Sequence, residues 1–271
     1  MNGIKDSIRE MKKDYTHGSS WYYERISQLL VNVDQEGLTI LLRSLGSIRP
    51  GMGSIANIEE VVKREKVANV YSARPLGQKL SDYSERCKIE LNRNLEKLNG
   101  KKIMTISYSS AIRRLIERSP PDKLVLLDSK PGKESRTAAK NYGKFCKVMV
   151  VPDSSMYSYM NSVDLVVTGF DGLYANGFLT NKVGTYPLYL SAREAGIEVL
   201  AIGESFKSTI NQKVEISERN VRFFGRRYTV PLLESVPLKY VDRLVTDQGQ
   251  FIRPDFKTVE LLHDAFLQGV K

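Results

Sequence analysis

The sequence predicts an α/β protein: an N-terminal helical domain followed by a Rossmann-like, mostly parallel doubly wound sheet. Three observations carry this. Up to about residue 98, apolar residues recur at spacings of three and four, with almost no strand-like run. Beyond residue 100 the pattern changes to short, nearly continuous apolar runs, which suit strands buried on both faces. Helical stretches separate most of these runs, and that alternation builds a parallel sheet with helices on both sides.

The elements follow in order. ISQLLVNV, GLTILLRSL, IEEVVKRE and the long LSDYSERCKIELNRNLEKL each place apolar residues along one helical stripe. Lys97 and Leu98 followed by Gly100 read as a helix end with a cation in its last turn. This sets a boundary near Asn99, with a helical domain over residues 1–99 and the Rossmann-like domain over 100–271. The strands are KIMTIS (102–107), KLVLLD (123–128), VMVVPD (148–153), DLVVTG (164–169) and EVLAIG (198–203). SAIRRLIER, ESRTAAKNYGKF and TYPLYLSAREAG supply helices between them, and a short strand (243–246) and a last helix (258–267) complete the chain.

Composition narrows the function classes. With 271 residues, 41 % hydrophobic and 27 % charged, the chain builds a core and stays soluble, which excludes intrinsic disorder. No apolar run approaches the roughly 18 residues of a membrane span, and the opening MNGIKDSIREMKKDY is too charged for a secretory signal, so a cytoplasmic protein without membrane contact is expected. Cys87 and Cys146 are too few for a disulfide framework. With His17 and His263 far apart, no metal-ligand spacing exists, so no disulfide, metal or cofactor is expected.

The net charge of +10 favours anionic partners and spreads evenly, +3 over residues 1–100 and +7 over 101–271. Arg113-Arg114, Arg226-Arg227 and Lys101-Lys102 are short clusters outside any known nucleic-acid-binding pattern and read as solvated faces, which speaks against direct nucleic-acid binding.

In a doubly wound sheet, ligands bind beyond the carboxyl ends of the strands. The strand-following segments 107–110, 128–132, 153–155, 169–172 and 203–207 are rich in hydroxyls, glycines and lysines, which suits an oxyanion, although Ser, Thr and Asp also serve there as helix caps. Asn181-Lys182 precedes Gly184-Thr185 at a helix start, where free N–H groups and a lysine together would hold a phosphate. Lys207 closes the next strand on the same rim. Asp171, before Gly172, either fixes a turn or accepts a hydrogen bond from a ligand hydroxyl. Trp21, followed by Tyr22-Tyr23, reads as core or partner interface.

The stretch VDLVVTGFDGLYANGFLTNKVGTYPLYLSAREAGIEVLAIGESFK (163–207) resembles the alpha, beta and delta subunits of translation initiation factor two-B and their relatives, methylthioribose-1-phosphate isomerase and ribose bisphosphate isomerase. TISYSSAIRRLI, LLDSKPGKESRTAAK and RLVTDQGQF extend the resemblance over most of residues 40–255, and GSIRPGMGSIAN (46–57) looks like the loop that closes over ligand between the helical and α/β parts. The resemblance implies a sugar-phosphate site drawn from Arg49, Lys130, Arg136, Asn181, Lys182 and Lys207, with Lys130 where the isomerases often carry arginine. It also implies dimers or larger homo-oligomers through the α/β domain, and initiation factor two or related subunits as partners. The isomerases shuttle a proton with a cysteine after the first strand of the sheet and an aspartate after the fourth. Asp171 matches the aspartate, but Ser107 stands at the cysteine's place, and an unassisted hydroxyl ionises far above pH 7. A regulatory or assembly role with a phosphate-ligand crevice is therefore the first expectation. A phosphopentose isomerase using Asp171, and a basic protein that binds RNA or ribosomes, are the alternatives.

Overall fold

The computed structural model describes residues 2–132, 134–211, 214 and 216–271. Five helices come first: α1 (Asn2–Lys13), α2 (Ser19–Asn32), α3 (Gln35–Ile48), α4 (Gly53–Arg64) and α5 (Val70–Asn94). Their apolar stripes meet in one core that includes Tyr22, Ile26, Leu38, Leu41, Leu45, Ile58 and Leu80. Side-chain caps set two of the starts: Asp34 accepts from the Gly37 N–H, and Asn69 forms a capping box with Ser72. Helix α5 ends four residues before the expected Leu98. From Leu95 the chain is extended, and both Leu95 and Leu98 turn into the core beneath the sheet. The expected 46–57 loop is mostly helix, because the stripe Leu38, Leu41, Leu45, Ile48 carries α3 through residue 48 and α4 starts at Gly53. Only residues 49–52 turn, and they do so inside the helical region.

The α/β part runs β1 (Lys102–Thr105), α6 (Ser110–Arg118), β2 (Lys123–Leu127), α7 (Glu134–Tyr142), β3 (Val148–Val151), β4 (Leu165–Thr168), β5 (Gly172–Tyr174) and β6 (Phe178–Lys182). It continues with α8 (Thr185–Glu194), β7 (Glu198–Ile202), β8 (Ser208–Thr209), β9 (Glu218–Phe223), β10 (Arg226–Pro231), β11 (Leu233–Pro237), β12 (Arg243–Thr246), β13 (Gly249–Ile252) and α9 (Phe256–Gly269). The main sheet has the order β13-β12-β7-β4-β1-β2-β3, parallel except for the β12–β13 edge pair. Numbered along the chain, its six parallel strands follow the Rossmann order 3-2-1-4-5-6, whose direction reverses between β1 and β4.

Each buried strand alternates between two cores. Ile103, Leu124, Leu126, Leu165 and Val167 face α6 and α7, while Met104, Val125, Leu127 and Val166 face α8 and α9. A fully buried side chain of this size contributes about 1.5–3 kcal/mol. The final helix joins both regions, with Val259 and Leu262 against the sheet and Phe266 and Val270 in the helical core.

Strands β5, β6, β8 and β11 form a second sheet, and β9 and β10 a separate two-stranded one; neither is among the expected elements. Asn176-Gly177, with Gly177 at φ +84, makes the β5–β6 turn and is the signal that marks it in the sequence. No helix among the described residues is long and apolar enough to cross a membrane.

Candidate functional site

A cavity of about 390 Å³ opens where β1 and β4 diverge, closed on its far side by the start of α2 and the α3–α4 turn. This is the topological switch point, at which neighbouring strands send their chains to opposite faces and leave a crevice. The β1 end supplies Ser107 and the β4 end Asp171. Arg49, Asn181, Lys182 and Lys207 also lie on the wall. The structure thus brings together six of the eight residues named from sequence. Lys130 and Arg136 stand outside the cavity: the Lys130 ammonium pairs with Asp128 at 2.9 Å, its side chain 65 % exposed, and Arg136 is exposed on α7.

Ser107 adopts a left-handed backbone, φ +67, as does Ser129 at the end of β2, φ +60. Such a conformation costs a non-glycine residue on the order of 1–3 kcal/mol and needs outside support. Here the Ser107 N–H donates to Ser129 Oγ at 2.8 Å, and Ser129 and Lys130 N–H groups donate to the two Asp153 carboxylate oxygens, both at 2.8 Å. The Ser107 hydroxyl points to Glu134 Oε1 at 3.3 Å, which also receives the Lys182 ammonium at 2.7 Å. Neither cysteine reaches the wall. Burial, with the Asp247 charge adding to it, pushes the Cys87 thiol far up, and burial raises Cys146 to about 11.

Asp171 sits at the N-terminus of α2, where its Oδ1 accepts the Ser19 N–H at 2.9 Å. Burial raises its carboxyl above the usual range, against the pull of Lys207, the Ser19 N–H, Arg49 and Lys182. Lys207 is held by Glu204 at 2.9 Å. Glu204 is fully buried and also receives Arg114 at 2.7 Å and the Ser20 hydroxyl at 3.0 Å. Burial opposes the Glu204 charge, but Lys207 and Arg114 outweigh it and hold the carboxyl well below its ordinary value.

Arg49 differs from both lysines. It is 6 % exposed, its guanidinium donates to the Tyr22 hydroxyl (Nη2 2.7 Å, Nε 3.2 Å), and it lies over the rings of Tyr15 and Tyr22. Burial lifts the Tyr22 phenol to about 12, so at pH 7 it is neutral. Among the described residues no carboxylate lies within 4 Å of Arg49. Its attraction to Asp171 acts over a longer distance, and a buried cation with no anion in contact is costly.

The N–H groups expected to hold phosphate at the start of α8 are taken. Gly184 and Tyr186 both donate to Glu234 Oε1, at 2.7 Å each, from β11. Asn181 turns its amide to the Thr185 hydroxyl at 3.1 Å and braces the same turn. The helix start that opens on the cavity is that of α6. Ser107–Ser110 line it, Ser109 caps it, and Arg113 and Arg114 lie one turn inside. The wall therefore carries six cations, Arg49, Lys88, Arg113, Arg114, Lys182 and Lys207, against Glu24, Glu134 and Asp171. Trp21 belongs to the wall as well, stacked on His17 with ring centroids 4.3 Å apart, while Tyr22 and Tyr23 are core. The arrangement suits an anionic ligand with hydroxyls, cations facing its phosphate and carboxylates facing its donors.

Sequence reasoning missed Glu134 and Glu234 as acidic partners, and named Glu204 within the strand-following segment 203–207 without its pairing. Glu134 lies just beyond the segment 128–132, whereas Glu234 lies on a strand that the sequence did not disclose, and each pairing spans two elements. Arg113-Arg114, read as a solvated face, divides: Arg113 is exposed, whereas Arg114 turns inward to Glu204.

The sequence profile of the initiation factor 2 subunit family matches residues 27–252. A translation initiation factor eIF-2B subunit 2-like protein from Pyrococcus furiosus is 24 % identical over 265 residues, covering 91 % of this chain and 95 % of its own. A ribose 1,5-bisphosphate isomerase from Haloferax volcanii is 26 % identical over 255 residues, covering 84 % and 78 %. Among solved structures, a Pyrococcus horikoshii translation initiation factor eIF-2B superposes with a TM-score of 0.82 at 23 % identity, over 93 % of this chain and 97 % of that one, which shows a shared fold.

Proposed function

Because the chain belongs to the initiation factor 2 subunit family, we propose that it is a regulatory or assembly subunit of the initiation-factor-two-B kind that binds a phosphorylated small molecule in the switch-point cavity without isomerising it. Arg49 is the observation that carries the ligand: a guanidinium buried on the cavity wall beside the neutral Tyr22 phenol, with no carboxylate within 4 Å among the described residues, is completed by an anion that enters. The absence of turnover rests on Ser107. It stands where the isomerases carry a thiol, and its hydroxyl faces a carboxylate already neutralised by Lys182, which is a weak base for it. The family resemblance supports a cytoplasmic homo-oligomer formed through the α/β part, with initiation factor two or related subunits as partners.

The test is a thermal-shift screen of sugar phosphates and nucleoside monophosphates, because a ligand at a hundred times its Kd adds about 2.7 kcal/mol of stability. A midpoint increase is expected for at least one compound, and Arg49→Met should abolish it while leaving the unliganded midpoint equal or higher. Ribose 1,5-bisphosphate and methylthioribose 1-phosphate should yield no ketose. Turnover that Asp171→Asn removes would establish the isomerase instead.

A further inference from the structure

Among the described residues the β9–β10 hairpin pairs with no third strand, and its residues are exposed along most of its length. Its six-residue strands make an arm of about 20 Å. The base is fastened: the Ser217 hydroxyl donates to Pro50 O, the Leu232 N–H donates to Ser217 O at 2.8 Å, and Arg219 lies over the Tyr15 ring at 4.9 Å. Beyond that base, three features serve no purpose inside this chain.

Arg222 and Arg227 are direct cross-strand partners, so two guanidinium side chains share one face at the closest spacing the ribbon allows. Like charges placed directly opposite destabilise a hairpin. Among the described residues no carboxylate lies within 4 Å of Arg222, Arg226 or Arg227, and the only acidic residue of the two strands is Glu218, at the far end from the tip. The tip itself is Phe224-Gly225 with φ +47 and +77, a two-residue turn whose first position normally takes asparagine, aspartate or glycine. Phenylalanine is held there in a left-handed conformation with its side chain wholly in solvent, 103 % exposed.

We propose that this hairpin is an RNA-binding arm, in which Arg222 and Arg227 on one face hold phosphates and Phe224 stacks on an unpaired base. Guanidinium groups take phosphate oxygens in bidentate geometry, and an exposed ring on a rigid turn is a stacking platform open to any base. An acidic peptide would satisfy the arginines and leave Phe224 unused, whereas an unpaired nucleotide engages both. RNA loops and bulges are where unstacked bases are presented beside a phosphate backbone. Arg227, part of a short cluster along the sequence, gains a partner on its own face only when the turn brings Arg222 opposite it, while Arg226 lies on the other face of the ribbon.

Fluorescence anisotropy with a labelled RNA stem-loop, compared with the same RNA fully duplexed and with poly-glutamate, tests the assignment over a range of salt. The intact protein should prefer the stem-loop. Phe224→Ala should weaken it about tenfold, and Arg222→Ala and Arg227→Ala should each lower the slope of log K against log salt by about 0.7. Arg222→Lys, which keeps the charge, should restore the slope. Phe224→Ala and Arg222→Lys should melt with the parent, and Arg222→Ala and Arg227→Ala no lower than it, since these side chains lie outside the three hydrophobic cores and the facing arginines repel each other. Equal RNA affinity for Phe224→Ala and the parent would overturn the proposal. So would poly-glutamate binding as tightly as the stem-loop, or a sedimentation shift showing that Phe224→Ala dissociates an oligomer while RNA binding is unchanged.

Discussion

Glu204 shows how a single buried charge organises this site. Its two oxygens gather Lys207, Arg114 and the Ser20 hydroxyl, joining the turn after β7 to α6 and α2. Removing one partner of such a cluster strands the others, and breaking a buried pair costs about 3–5 kcal/mol. Glu204→Gln keeps the shape and loses the charge, so a loss near the lower end, about 3 kcal/mol, is expected in urea denaturation at pH 7. Because the folded carboxyl is held below its ordinary value of 4.5, its contribution is complete above pH 4.5 and declines as the pH falls toward the folded value. The gap between parent and variant should therefore narrow from pH 7 to pH 3.5, and an equal gap at both would refute the charge-based account. Lys207 and the Glu of ESFK were both visible in the sequence. That they meet each other and Arg114 was not, since an ion pair depends on distance through space.

At the scale of elements, the N-terminus of α8 is the clearest case of a local signal answered from elsewhere. The pattern NK-GT does open a helix, with Gly184 at φ +102 making the turn. What caps it is Glu234, from a strand the apolar pattern did not disclose: over its five positions only Leu233 and Val236 are buried, three apart, so β11 shows no period-two alternation. Glu234→Ala should cost about 1.5–3 kcal/mol, the loss of hydrogen bonds to a charged group. Guanidinium denaturation measures this, and a change below 0.5 kcal/mol would show that the cap contributes little. The long helices and the β1, β2, β4 and β7 strands were legible because each repeats its pattern over a buried stripe or run. The second sheet was not, because its strands span two to five residues, too few to distinguish a period from chance.

Across the whole molecule, the cavity exists because the helical region is pressed on the sheet's switch point. The Gly53 N–H donates to Asp171 O at 3.0 Å, and Asn57 Nδ2 donates to the carbonyls of Phe206 and Ser208 at 2.9 and 2.7 Å. A Cβ on Gly53 would fall 2.1 Å from the Lys207 carbonyl oxygen and 3.1 Å from Gly172 Cα, so the start of α4 approaches as only glycine permits. Gly53→Ala should cost roughly 1–3 kcal/mol by overpacking and also weaken the ligand-induced thermal shift, since it displaces the backbone that carries Asp171 and Lys207. An unchanged urea midpoint would place the two regions further apart than these contacts show. The sequence by itself determined the fold class, the helical and sheet regions, the family, and that Ser107 and Asp171 follow strands, because burial leaves periodic marks and strand ends leave polar ones. Only the tertiary structure decided that these two residues share one crevice with Arg49, that Lys182 and Lys207 are already paired, and that the start of α8 is occupied. Those outcomes depend on strand order and on distances between elements remote in the chain, which no local pattern encodes.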